Sequence, residues 1–171
     1  MGKFHAIVGQ FDEVTLQKIK NSPEVAEVEP DELVRIGEVI VQPDAGYGLA
    51  AISSKGPGST DYRYDNSAGK GTFAYIVDTG INADHEEFGG RVTKGFNGFN
   101  DSTIDLFGHG TLVAGVLGSK TYGAAKLANL IDVKVFEGDE TPRSKVLSGY
   151  AWAVNDITSK GRASRSVINS S

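Results

Sequence analysis

Cysteine is absent from the 171 residues. That excludes a disulfide framework and any thiolate centre, and it leaves compartment open, because a large secreted domain can be stable without bridges. No window approaches the roughly 18 consecutive apolar residues of a membrane span. The start, Met1-Gly2-Lys3-Phe4-His5, lacks the apolar core of a secretory leader, so the chain is expected either to act inside the cell or to lack its natural amino terminus. Basic blocks are missing as well: 17 Lys and Arg stand against 22 Asp and Glu, a net charge of −5. Neither nucleic acid nor a membrane is therefore expected as a partner. No fixed-period repeat or low-complexity tract interrupts the chain.

What is present reads as a core-forming chain, 39% hydrophobic, of a length for one domain plus a small appendage. Residues 5–11 and 25–34 read as strands, the second alternating apolar and acidic side chains. Between them Asp12 caps a helix over 14–21, which Pro23 ends. About 30 such residues cannot bury enough surface to be stable alone. The stretch 37–66, rich in Gly, Ser, Pro and Asp, reads as irregular. From Phe73 onward the pattern alternates: strand at 73–78, helix at about 109–119, strand at 130–136 and helix at 145–160. That last helix carries Val146, Tyr150, Ala153, Val154 and Ile157 on one face and ends at Gly161, and a further strand begins at 166–169. The expected fold class is α/β, a mostly parallel sheet with right-handed crossovers and helices on both faces, preceded by a small α+β piece.

The chemistry concentrates at two points. The apolar run Phe73-Ala74-Tyr75-Ile76-Val77 delivers Asp78 to the carboxyl end of a buried strand, where open α/β sheets assemble their sites. Gly108-His109-Gly110-Thr111 then opens a helix of small residues, placing an imidazole on its first turn. A carboxylate and an imidazole so placed can orient and stabilise a general base. Read singly, each short motif better fits a structural role, Asp78 as a turn cap and His109 as a helix cap. His85 lies among carboxylates, but no second ligand follows at helical or finger spacing, so it is expected to be an exposed loop residue. His5 is read as surface and Trp152 as core material. The acidic run Glu24, Glu27, Glu29, Asp31 and Glu32 is either a solvated face or an edge that meets a protein partner.

A longer set of strings carries a resemblance: Gly48-Leu49-Ala50-Ala51-Ile52-Ser53, Tyr64-Asp65-Asn66-Ser67-Ala68-Gly69, Val77-Asp78-Thr79-Gly80-Ile81, His85-Glu86-Glu87-Phe88, Gly108-His109-Gly110-Thr111, Lys120-Thr121-Tyr122-Gly123, Val133-Lys134-Val135-Phe136 and Ser166-Val167-Ile168-Asn169. In this order they are similar to the amino-terminal half of a subtilisin-like serine protease of the fungal proteinase-K-like branch. The resemblance implies that residues 1–36 form part of an inhibitory propeptide. Residues 37–41 would be a linker with the maturation boundary near Ile40-Val41, and 42–171 the amino-terminal half of a catalytic domain. It implies Asp78 as the triad acid and His109 as the general base. It also implies a peptide or protein substrate for the full-length form, an extracellular location, and neither metal nor cofactor.

The family continues with a Ser-Leu-Gly-Gly substrate-pairing segment, an oxyanion-hole Asn and a Gly-Thr-Ser-Met-Ala nucleophile segment, none of which occurs here. The chain is therefore expected to be a truncated form, inactive alone in peptide-bond hydrolysis. The alternative is a non-enzymatic inhibitor or folding aid that binds an intact subtilase through residues 4–36. No substrate-binding residue transfers from the resemblance. Leu112 stands where the family commonly has a second His.

Overall fold

In the computed structural model, which describes residues 5–31, 37–99 and 103–171, the chain divides into two units, Met1–Ile36 and Gly37–Ser171. The first contains helix α1, Glu13–Lys20, and Asp12 caps it by accepting from the Thr15 amide at 2.7 Å. Glu13 in the first turn and Lys18 and Lys20 in the last complement the helix dipole. The strands expected at 5–11 and 25–34 do not form at 5–11 or 25–31, and residues 32–34 lie outside the described residues. Two short segments, one of them half acidic, make at best a marginal two-stranded ladder.

The second unit opens with structure where an irregular stretch was expected. Strand β1, Val39–Gln42, is followed by helix α2, Tyr47–Ser53, and strand β2, Tyr62–Asp65. β1 and β2 pair antiparallel, so Ile40 and Val41 sit within the ladder, opposite Tyr64 and Arg63. The Ser53 hydroxyl closes this piece by accepting from the Arg63 amide at 3.0 Å. Its elements are of four and seven residues, too short for a period to stand out against the Gly and Ser around them.

The main sheet follows from β3, Phe73–Asp78, with β4, Val92–Asn97. Helix α3, His109–Gly118, then leads to β5, Asn129–Lys134, and helix α4, Arg143–Ser159, leads to β6, Ser166–Ser170. The strand order is β4-β5-β3-β6 and every neighbouring pair is parallel. β4 was not anticipated, because it is polar and largely exposed and its register shifts between Lys94 and Phe96, around Gly95.

Alternation along β3 fixes what covers each face. Ala74 and Ile76 join Leu130, Ile81, Phe88 and Ala114 of α3 in one apolar cluster. Tyr75 and Val77 join Ile131, Val133, Val135 and Ala153 of α4 in another. The two helices thus lie on opposite faces, as a doubly covered parallel sheet requires. Val146, Tyr150, Ala153 and Ile157 pack in that second cluster as expected. Val154 does not, being 51% exposed, because it lies about 100° round the helix from Ala153. Trp152 packs in its place, with its ring 6.4 Å from those of both Tyr75 and Phe96. At the far end of α4 the Tyr75 hydroxyl donates to Asp156 Oδ2 at 2.7 Å, and Lys160 and Arg162 pair with the same carboxylate.

Candidate active site

Asp78 ends β3 with only 2% of its surface exposed, and α3 starts directly against it. The contact is close enough to demand glycine at position 110. A Cβ there would overlap the Gly80 carbonyl oxygen and stand 3.1 Å from Asp78 Oδ1. Gly108, the residue before the helix, takes φ +92°, a backbone conformation that other residues rarely adopt. These two glycines bring His109 Nδ1 to 2.7 Å from Asp78 Oδ1, while the Thr79 amide donates to the same oxygen at 2.8 Å. A carboxylate oxygen accepts, so in the neutral imidazole the proton sits on Nδ1 and Nε2 keeps its lone pair. The His109 side chain is 43% exposed. The two residues singled out in the sequence are thus in direct contact.

Around them lies a polar frame that sequence reading did not single out. The Thr79 hydroxyl donates to Asp105 Oδ1 at 2.9 Å and accepts from the Gly110 amide at 2.8 Å. Asp105 Oδ1 also takes the Gly108 amide at 2.8 Å and the Phe107 amide at 3.2 Å. Its Oδ2 takes the Thr111 amide at 2.9 Å and the Thr111 hydroxyl at 2.5 Å. Burial alone would raise the Asp105 carboxyl, but the bonds from Thr111, Gly108 and Thr79 outweigh it and hold the group below the usual carboxylate range.

On the other side of the same turn, Asp132 accepts from the Ile81 amide at 3.2 Å and from Lys94 Nζ at 2.7 Å. Lys94 also reaches the carbonyls of Ile81 and Thr103. Burial pushes the Asp132 carboxyl up, against the opposing pull of Lys94, the Ile81 amide and Lys134. Buried Lys134 donates to the Thr79 carbonyl at 2.7 Å. The signals for these residues were in the sequence. Asp132 and Lys134 are charges inside an apolar strand run and need buried partners. Asp105 precedes a helix whose cap position, Gly108, has no side chain to accept from the first-turn amides.

The other candidates take structural places. His85 is an exposed loop residue that caps a short turn, its Nδ1 accepting from the Glu87 amide at 3.2 Å. Leu112 points outward and is 66% exposed. Among the described residues, no group of three or more His, Asp or Glu could hold a metal ion, and no helix is long and apolar enough to cross a membrane.

Comparison with known proteins gives two family matches, the subtilase family over residues 69–171 and peptidase inhibitor I9 over residues 2–37. Alkaline protease 1 of Emericella nidulans is 53% identical across the whole chain, which spans 42% of that protein. Alkaline proteinase of Hapsidospora chrysogena is 48% identical over 98% of the chain and 44% of its own length. The chain thus spans less than half the length of these relatives. Among solved structures, a cold-adapted subtilisin-like serine proteinase superposes with a TM-score of 0.62 at 36% identity. The match covers 66% of this chain and 42% of that one.

Proposed function

The chain belongs to the subtilase family, and on that premise we propose that it carries the acid and base of a serine-endopeptidase site, with Asp78 orienting the imidazole and His109 acting as general base. The observation that carries this reading is the 2.7 Å contact between His109 Nδ1 and Asp78 Oδ1, which engages Nδ1 and not Nε2 of a side chain that is 43% exposed. A serine hydroxyl is a weak nucleophile at neutral pH. Nε2 would take its proton as the oxygen attacks the scissile carbonyl, and Asp78 would stabilise the imidazolium that forms. The proton would then pass from Nε2 to the leaving amine.

In the family's pattern that serine lies in a Gly-Thr-Ser-Met-Ala segment, which does not occur in these 171 residues. The chain by itself is therefore expected neither to hydrolyse peptides nor to react with a fluorophosphonate. Residues 1–36 are assigned as propeptide, 37–41 as the maturation region and 42–171 as catalytic-domain sequence. The substrate is a peptide or protein and the setting is extracellular.

The test is a chimera in which the carboxyl-terminal part of the Emericella nidulans relative follows Ser171. It should hydrolyse casein, and His109→Ala should lower kcat by about 10⁶-fold. Activity that survives His109→Ala would refute the assignment.

The match of residues 2–37 to peptidase inhibitor I9 supports a second, non-enzymatic reading, in which the chain inhibits or helps fold an intact subtilase. Inhibition of alkaline protease 1 by the 171-residue chain, abolished on deletion of residues 1–40, would favour it. Equal inhibition by the deleted chain would remove it.

A further inference from the structure

We infer that Asp105 is a positioning residue for His109: its carboxylate, in place of a side-chain cap on the helix itself, sets where α3 begins and so where the imidazole meets Asp78. This rests on the reading of Asp78 and His109 as the acid and base.

A helix leaves its first amides without partners, and a polar side chain at the cap position ordinarily accepts from one of them. Gly108 occupies that position in α3 and has none to offer. The Gly110 amide goes instead to the Thr79 hydroxyl and the Thr111 amide to Asp105 Oδ2, at 2.8 and 2.9 Å. Asp105 also takes the Gly108 amide and the proton of the Thr79 hydroxyl. One carboxylate is therefore bonded at once to the residue after the acid and to residues on both sides of the base. Its negative charge at the start of α3 is favoured by the helix dipole.

Among the described residues, every hydrogen-bond partner of Asp105 is a donor. The Asp105→Asn side chain keeps the shape but replaces one accepting oxygen with an NH₂ group, so at least one backbone amide at the start of α3, that of Gly108 or of Thr111, would face another donor. The first turn of α3 must then shift. A displacement of about 1 Å is enough to break a short, directional contact such as that between His109 and Asp78.

The tautomer of His109 separates this role from a merely structural one. Acceptance by Asp78 holds the proton on Nδ1, whereas an imidazole without that partner reverts toward the Nε2–H form. The experiment is long-range proton–nitrogen NMR of the 171-residue chain labelled with ¹⁵N-histidine, at a pH where His109 is neutral. Its signal is identified by its loss in His109→Ala. The wild-type chain should show the Nδ1–H form at His109. Asp105→Asn should preserve the amide pattern of the sheet and lose that signature in favour of Nε2–H.

A folded Asp105→Asn chain with His109 still in the Nδ1–H form would overturn the inference. Should that variant not fold, Thr79→Val decides, since the hydroxyl it removes links Asp105 to Gly110. The same loss of signature supports the inference and an unchanged one refutes it. Failure of the underlying reading looks different. Either the wild-type chain lacks the Nδ1–H form, or Asp78→Asn leaves it unchanged, and then the pair itself falls and the role of Asp105 with it.

Discussion

Two glycines of α3 differ in what they can tolerate. At Gly110 a Cβ would overlap the Gly80 carbonyl oxygen, whereas at Gly115 it would meet nothing within 4 Å. Gly110→Ala should therefore cost about 1–3 kcal/mol by overpacking, and Gly115→Ala should gain about 0.5–1 kcal/mol by helix propensity. Urea unfolding of both variants checks the contrast, and equal effects would mean that α3 does not press on the end of β3. Asp105 supplies a pH signature at the same scale. Its folded carboxyl is held below the unfolded value of about 3.9. Its contribution to stability is thus complete above that value and disappears as pH falls through the lower folded one. The urea midpoint of the wild-type chain should drop on acidification below about pH 4, and Asp105→Asn should show a shallower drop. An unchanged slope in the variant would show that the carboxylate gains nothing from its partners.

Among the elements, α4 is tied to β3 by the Tyr75 hydroxyl, which donates to Asp156, while Trp152 packs beside the Tyr75 ring. Tyr75→Phe leaves the ring and removes the donor, so it should cost about 1–3 kcal/mol. The single tryptophan reports the transition by fluorescence, and no change in the midpoint would mean that the tie carries no stability. The same elements show what sequence could reveal. β3 was legible because its apolar run is longer than its polar interruptions. α3 was legible because glycine brackets His109. β4 was not, since Thr93, Lys94 and Gly95 interrupt any apolar run; Lys94 finds its partners in Asp132 and the carbonyls of Ile81 and Thr103, which a local pattern does not display. β1, α2 and β2 are stabilised by each other, as in the bond from the Arg63 amide to Ser53, and a local pattern cannot display that. For the site, Asp78 and His109 could be found because their neighbours form short motifs. The partners of Asp105 lie on two separate segments, and only folding brings them together.

At the scale of the second unit, α3 beyond its first turn is apolar all round, the character of a helix covered on every side. Gly110, Ala114 and Gly118 are buried, yet Leu112, Val116 and the nearby Tyr122 are 66%, 64% and 68% exposed. β6 forms an edge of the sheet, with Val167 60% exposed. Apolar surface beside an open strand edge favours self-association. The 171-residue chain should self-associate weakly and reversibly as its concentration rises, and Leu112→Lys with Val116→Lys should suppress this without lowering the urea midpoint; light scattering that is the same for both would contradict it. The central claim is that Asp78 and His109 work as one unit, and a double-mutant cycle in the chimera tests it most directly. Residues acting as a unit are strongly non-additive, so Asp78→Ala should cost about 10⁴-fold in kcat and His109→Ala about 10⁶-fold, with the double variant no worse than His109→Ala alone. If the two losses multiply instead, the residues contribute independently and the account of a paired acid and base is wrong.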